Sequence, residues 1–227
     1  MKVVLLSYTK DAELLCATAA KTCYSQGPPS EIRGKVTGDK AGKLIGDVVG
    51  MGHHSVIEHA YYTFSLEGVS RALTHQLVRH RVASYSQQSQ RYVNMLSAEY
   101  VLPKSVEADP EAAAIYRLAM EQAWESYQKL AERVPVEDAR YVLPNACESN
   151  IMVTMNAREL MHFFSLRCCE RAQWEIRDVA EEMLRLVQEV SPQIFHDAGP
   201  PCVRGPCHEG KLSCGKPRRR ARKSSEG

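Results

Sequence analysis

The chain has 227 residues, of which 44% are hydrophobic and 25% charged, and its net charge is +2 at pH 7. This composition is ordinary for a globular protein, and no apolar run approaches the roughly 18 residues of a membrane span, so we predict no membrane association. Residues from 218 onward carry +4 and the body about −2, which argues against a nucleic-acid binder and predicts a solvated, disordered basic end.

The N-terminal part of the chain alternates strand and helix patterns. Residues 2–8 predict a buried strand, because charged residues follow its short apolar run too closely for a signal peptide, and we therefore expect a cytoplasmic protein. Apolar spacing predicts helices over 10–23 and 39–50. Frequent glycine and proline predict a loop over 26–38. Aromatic and β-favouring residues predict a strand over 60–67.

The remaining elements are mainly helical. We predict a helix capped by Ser70 to about residue 81, followed by a polar loop to about 90. A helix over 111–133 follows Asp109-Pro110. A strand over 149–155, a helix from Asn156 to about 168 and a helix over 172–190 complete the series. Asn156 and Glu159 resemble a capping box. The scattered strands predict an α+β fold, with mixed helices around a mainly antiparallel sheet, for residues 1–198. A Cys/Gly/Pro-rich and basic tail covers 199–227.

The densest polar cluster runs from Arg79 to Tyr92. These fourteen residues include three arginines, one histidine, three serines and three glutamines, at the C-terminal end of a predicted helix. A cationic helix end followed by a surface loop accounts for this composition without any ligand. Because each guanidinium offers a planar array of donors suited to phosphate, however, three arginines together favour an anionic ligand.

This segment resembles the signature of flavin-dependent thymidylate synthases, in which Arg-His-Arg is followed at fixed spacing by Ser, Ser and Arg. The matching positions are Arg79, His80, Arg81, Ser84, Ser89 and Arg91. Ser86 stands where the family often has Asn, and Gln87 where it often has Glu, so a role that needs a carboxylate at 87 is lost. Residues 52–59 and 155–158 resemble further family segments, and the resemblance covers about 20–197.

The resemblance implies a complete reaction. Members of this family methylate dUMP to dTMP with methylenetetrahydrofolate as the one-carbon donor and FAD reduced by NADPH. They assemble as homotetramers with active sites shared between subunits. Ordinary thymidylate synthases make the uracil C5 nucleophilic by adding a cysteine to the ring, whereas this family is thought to polarise the ring electrostatically.

The resemblance also assigns ligand contacts to positions of this chain. The predicted FAD contacts are Ser55, Arg79, His80, Arg81, Gln87, Asn156, Ala157, Arg158 and His162. The predicted dUMP contacts are Gln76, Arg79, Gln87, Gln88, Ser89, Gln90, Arg91, Arg140 and Arg167. Arg167 is the predicted catalytic residue, placing positive charge beside the uracil. Ser89 is expected to position the nucleotide rather than attack it.

Several alternatives stay open at this stage. Cys202, Cys207, His208 and Cys214 offer enough ligands for a small zinc site, although their spacing departs from tight zinc motifs and we predict no metal. Pro-Cys-His at 206–208 resembles the nucleophile motif of cysteine-dependent thymidylate synthases. A non-enzymatic nucleic-acid-binding protein that uses residues 79–91 and the basic tail is the third alternative.

Overall fold

Four strands form one antiparallel sheet in the computed structural model, which describes residues 1–95 and 99–218, Asp39 by its backbone alone. The strands are β1 (Lys2–Tyr8), β2 (Tyr61–Ser70), β3 (Ala83–Gln87) and β4 (Glu148–Asn156), in the spatial order β1-β2-β4-β3. The helices are α1 (Ala12–Thr22), α2 (Pro29–Lys35), α3 (Gly38–Gly50), α4 (Arg71–Leu77), α5 (Lys104–Glu107), α6 (Pro110–Ala131), α7 (Val136–Ala139), α8 (Ala157–Arg167) and α9 (Trp174–Val190). The predicted α+β fold is confirmed.

Helix starts follow the capping residues that the sequence indicated. The Ser70 hydroxyl accepts a hydrogen bond from the Leu73 amide at 3.0 Å, and the Asp109 carboxylate accepts bonds from the first amides of α6. Each cap satisfies a backbone donor that has no partner inside its helix. The helix that begins after Ser70 ends at Leu77, earlier than predicted.

Two predicted loops contain regular structure. The loop predicted over 26–38 is wrong, because α2 occupies part of it: Pro29 suits the first helical position, and Ile32 is buried. The polar loop predicted up to residue 90 is also wrong in part, since β3 pairs at the edge of the sheet. Polar side chains are compatible with an edge strand, because one of its faces meets water.

The chain divides into two compact units. The first unit comprises Met1–Lys2, Ser65–Arg79 and Tyr85–Val153, and the second comprises Val3–Phe64, His80–Ser84 and Thr154–Gly227. The core of the first unit contains a cluster around Tyr127 and Cys147, with Trp124 packed against it. In the second unit, Tyr62 and Phe164 each pack edge-to-face on Phe195. The predicted boundary between a 1–198 domain and its tail stays a prediction.

The start of the tail is tied to the second unit. Arg218 pairs with Glu170 at 2.9 Å and with Glu181, so the predicted solvated end is wrong at this residue. The rest of that predicted basic end, residues 219–227, lies outside the described residues. No helix within residues 1–95 and 99–218 combines the length and apolar composition that a membrane crossing requires.

Candidate active site

Helix α8 of the second unit begins at the predicted strand-to-helix turn. The Asn156 side chain accepts the Glu159 amide at 2.9 Å, which confirms it as the cap. The Ala157 amide donates to the Ala60 carbonyl at 2.8 Å. The amides of Ala157 and Glu159 thus have partners inside the protein, and neither of these two bonds involves the Arg158 amide that lies between them. The capping box is only half formed, because the Glu159 carboxylate contacts His80 instead of returning to Asn156.

Glu159, His80 and Arg167 form a hydrogen-bonded chain, which we call the imidazole relay. His80 Nδ1 lies 3.2 Å from Glu159 Oε1, and Arg167 Nε donates to His80 Nε2 at 3.1 Å. A guanidinium can only donate, so Nε2 must be the accepting nitrogen. The ring proton is consequently on Nδ1 and is donated to Glu159, which fixes the tautomer of a neutral imidazole.

The surroundings of the relay favour its uncharged ring. His80 is 4% exposed, and the Phe163 ring packs edge-on against it with the centroids 4.9 Å apart. Burial, and to a smaller extent the charges of Arg167 and His162, lower the pKa of His80 to about 4. Burial also raises the pKa of Glu159 and lowers that of Arg167. His80 is thus neutral at physiological pH, whereas Arg167 keeps its charge because arginine titrates far above neutrality.

A cleft of about 830 Å³ lies along α8 in the second unit, and we call it the α8 cleft. Its volume is within the range of ligand sites in proteins. Of the predicted flavin contacts, three line it: Asn156, Arg158 and His162. His80 is buried, and Ser55 and Arg81 are exposed; Ser55 follows His54, which itself lines the cleft. Arg158 forms an ion pair with Glu58 at the same cleft.

The residues of the α8 cleft fit a flavin dinucleotide. Val49 offers an apolar surface to a planar ring, and the Arg158 guanidinium offers donors to a pyrophosphate. Gly46 and Gly50 also line the cleft, and a Cβ added at either would meet no protein atom within 4 Å. Backbone without a side chain there allows a ligand to approach closely. The α8 cleft thus combines room for a ligand with a cationic donor of the kind that a dinucleotide cofactor uses.

A second cavity of about 310 Å³ in the same unit is bordered by the tail. Arg167 lines this cavity, and Ser165 lines both it and the α8 cleft. Its lining includes Cys169, Cys202, Cys207, His208 and Cys214. Within the described part of the chain, no three His, Cys, Asp or Glu side chains are arranged to hold a metal ion.

In the first unit, residues 87–90 are anchored to the beginning of β4. The Gln87 amide nitrogen donates to Thr74 Oγ1 and Ser149 Oγ, both at 3.1 Å. The Gln88 amide donates to the Asn150 carbonyl at 2.9 Å, and Asn150 Nδ2 donates to Gln88 Oε1 at 3.1 Å. Farther along, Gln90 Nε2 lies 3.5 Å from Cys147 Sγ, and the Ser89 hydroxyl accepts the Arg91 amide at 3.2 Å. These bonds hold the segment predicted to contact the nucleotide.

Two of the predicted phosphate-binding arginines meet at Glu137. Arg91 Nε donates to the Glu137 carboxylate at 2.9 Å, and Arg140 Nε donates to its backbone carbonyl at 3.0 Å. The hydrogen bond that Arg91 donates to Glu137 is the main cause that raises the pKa of Arg91. Half-buried Arg71 lies close enough to Arg140 for that charge to lower its pKa, although burial is the larger cause. The structure therefore groups three cations in this part of the first unit.

The other two predicted nucleotide contacts lie at the end of α4. Gln76 Nε2 donates within its own helix, to the Ala72 carbonyl at 3.5 Å, and Arg79 is exposed. Sequence reasoning missed Glu159 and Glu137 as partners of the functional side chains. Glu159 was explained by a capping box, and Glu137 lies 46 positions from Arg91, beyond the reach of local patterns.

Comparison with known proteins shows similarity over most of the chain. A family model described as "Thymidylate synthase complementing protein" matches residues 4–193. The flavin-dependent thymidylate synthase of Geobacter sulfurreducens is 53% identical over 219 residues, which cover 95% of this chain and 94% of the relative. The corresponding protein of Clostridium tetani is 48% identical with the same coverage, and that of Sulfurisphaera tokodaii is 47% identical over 89% of this chain and 79% of the relative. The matched residues extend through both compact units.

Proposed function

This chain belongs to the flavin-dependent thymidylate synthase family and is therefore a methyltransferase that forms dTMP, and on that premise we propose its full reaction. The substrate is dUMP, the one-carbon donor is methylenetetrahydrofolate, and the cofactor is FAD reduced by NADPH. A homotetramer with active sites shared between subunits stays a prediction from the family resemblance, and a cytoplasmic location stays a prediction from the N-terminal sequence. The family assignment leaves neither the cysteine-dependent enzyme nor the nucleic-acid-binding protein as a competing proposal.

The observation that carries the proposal is the composition of α8. Arg158 in its first turn and His162 at its middle line a cleft whose chemistry suits FAD, and its last residue, Arg167, is the predicted catalytic guanidinium. One helix thus presents both the flavin contacts and the positive charge. Because a helix fixes the spacing of its side chains, the two functions are held at a constant separation.

Arg167 has the properties that the proposed chemistry needs. Methylation at C5 requires negative charge to develop on the uracil, and a fixed cation beside the ring stabilises that charge as it forms. The guanidinium stays protonated at working pH and is partly buried, so its field is screened less than that of a surface residue. Bound FAD, once reduced, supplies the hydride that completes the methyl group.

The first-unit arginines and the segment 87–90 are proposed to bind the nucleotide. Arg91 and Arg140 supply donors for the phosphate, and the anchored segment offers backbone and side-chain groups to the sugar and base. Ser89 uses its hydroxyl to hold the local turn, which supports a positioning role.

The proposal is tested on the purified protein. We expect flavin absorbance and formation of dTMP that requires dUMP, methylenetetrahydrofolate and NADPH together. Reactions that omit one component, and protein stripped of flavin, are the controls. Flavin-loaded protein that consumes NADPH but forms no dTMP would contradict the proposed reaction.

A further inference from the structure

The imidazole relay connects two residues of α8 that cannot touch each other directly. Glu159 and Arg167 are eight positions apart, which is about two helical turns, whereas side chains on a helix reach partners three or four positions away. His80, which comes from a distant part of the sequence, spans the gap with its two ring nitrogens. The position of Arg167 therefore depends on a residue that lies at the opposite end of the helix.

Each hydrogen bond of the relay has only one possible direction. The Arg167 Nε–H must donate, so the His80 Nε2 must carry a lone pair. Glu159 enforces this, because its carboxylate accepts the proton on Nδ1. With Glu159 removed, the ring can place its proton on Nε2, and two N–H donors would then face each other. The contact that holds Arg167 would be lost.

Burial strengthens this dependence. The His80 ring is 4% exposed and Glu159 is 9% exposed, so water cannot readily replace a missing partner. The low pKa of His80 agrees with the same arrangement, since an imidazolium would repel the neighbouring guanidinium. The bond from Arg167 to the ring is made by its Nε.

We propose that Glu159 is a positioning residue for dTMP formation, which sets the tautomer of His80 and thereby the direction in which Arg167 presents its charge. This inference rests on the proposed function for the role of Arg167. Electrostatic stabilisation acts over short distances and in defined directions, so a displaced guanidinium loses much of its effect on the transition state. Glu159 itself contacts neither the uracil nor the reacting carbon in this proposal.

Variants at Glu159 separate positioning from a merely structural role. Glu159→Ala removes the acceptor, and we expect kcat to fall about tenfold or more while the flavin content is unchanged. Glu159→Gln keeps a side-chain oxygen that can accept from Nδ1, so we expect its kcat to stay within about threefold of the wild type. Glu182→Gln, which alters an exposed carboxylate paired with Arg185 on α9, is the matched control for the loss of charge.

A double variant tests whether Glu159 acts through the ring. In a His80→Ala background, Glu159→Ala should change kcat by less than about twofold, because the connection to Arg167 is already broken. Full multiplication of the two single effects would overturn the proposal. So would a Glu159→Gln enzyme that is as impaired as Glu159→Ala.

The tautomer can be measured without any activity assay. We expect nitrogen-15 NMR of the wild-type holoenzyme at pH 7 to show His80 as neutral, with its proton on Nδ1. A proton on Nε2, or an imidazolium, would overturn the proposal even if dTMP is formed. If Glu159→Ala does not fold, a wild-type proton on Nε2 still overturns the proposal, and so does a Glu159→Gln enzyme whose kcat falls tenfold or more. Absence of dTMP from the wild type would instead contradict the proposed function and leave the tautomer result valid.

Discussion

In the second unit, His80 and Glu159 of the imidazole relay are buried and bonded to each other, whereas in the first unit the ion pair of Arg91 with Glu137 lies nearer to water. His80 is almost fully enclosed, and both of its ring nitrogens have protein partners. Arg91 and its partner Glu137 have side chains that are 50% and 46% exposed. Each region contains an arginine and a glutamate, but those of the second unit are bridged by a buried ring, whereas those of the first unit pair at the surface.

This difference in burial indicates whether each group of side chains is oriented before a ligand binds or only when it binds. Buried polar groups interact strongly because the surrounding dielectric is low, so the relay orients Arg167 before any ligand arrives. An exposed ion pair contributes little, because water and salt screen it. On the proposed function, Arg91 can therefore exchange its exposed partner Glu137 for a phosphate at small cost. We expect mutations in the second unit to affect kcat and those in the first unit to affect KM.

Replacing the guanidinium of α8 gives the largest expected effect. Arg167→Ala should keep its flavin but lose about 100-fold to 1000-fold in kcat, the range for removal of one group that stabilises transition-state charge. Flavin absorbance and dTMP formation measure the two properties separately. Arg185→Ala, which removes an exposed arginine of α9, is the control. Wild-type turnover in Arg167→Ala would refute both its catalytic role and the comparison between the units.

Acid should weaken the second unit through His80. The pKa of His80 is lowered from 6.5 to about 4 on folding, so the unfolded chain binds the extra proton in this interval. The resulting stability is fully present above about pH 6.5 and is lost as the pH falls towards 4, which amounts to about 3 kcal/mol. The raised pKa of Glu159 contributes with the opposite sign.

Denaturant unfolding of the wild type and of His80→Gln over this pH range isolates the histidine. We expect the wild type to lose more of its free energy of unfolding than the variant between pH 6.5 and 4. Arg91→Gln, altered in the first unit, should follow the wild-type curve. Parallel curves for wild type and His80→Gln would contradict the buried neutral ring.

Substitution of the exposed residues Arg91 and Glu137 should change the affinity for dUMP. Arg91→Gln is expected to raise the KM for dUMP about tenfold with a smaller change in kcat, as for the loss of one charged hydrogen bond. Glu137→Gln should act in the opposite direction and lower that KM, because it releases Arg91 from its carboxylate partner. Steady-state kinetics at two salt concentrations measure both. If Arg91→Gln changed kcat alone, the first unit would not be the nucleotide-binding set.

The smallest effect is expected at Gln87. Its amide donates to two hydroxyl groups, and the Ser149 hydroxyl can turn to donate to a carboxylate, whereas that of Thr74 already donates to the Arg71 carbonyl; with one such bond regained, Gln87→Glu should leave the KM for dUMP within about threefold. Gln87→Leu, which cannot form either bond, should lower the free energy of unfolding by about 1–3 kcal/mol. Thermal unfolding and kinetics of the two variants measure the contrast. An inactive Gln87→Glu enzyme would show that the missing family carboxylate is not tolerated here.

The sequence predicted most of the secondary structure because its signals are local. Apolar spacing located α3 and α9, and caps such as Ser70 and Asn156 are set by residues three positions away. β3 was missed because its pairing with β4 depends on a partner some sixty residues later, which no local pattern encodes.

The same distinction applies to the site. The family resemblance named Arg167 and His80, but their connection depends on a pairing of side chains across 87 positions. Glu159 had a sufficient local explanation as part of a capping box, and its contact with the ring required the folded chain. Motifs thus named candidate residues, whereas the bonds between those residues could be seen only in the folded chain.

The single helix that joins the predicted flavin contacts to the proposed catalytic cation also restricts how this segment can evolve. The 11 residues of α8 rise about 16 Å, and each one turns the helix by about 100°. An insertion or deletion of one residue between Arg158 and Arg167 would rotate the guanidinium by about 100° around the helix axis relative to Arg158, whichever amino acid was added or removed. We therefore expect this segment to accept changes of composition in related enzymes while its length stays constant.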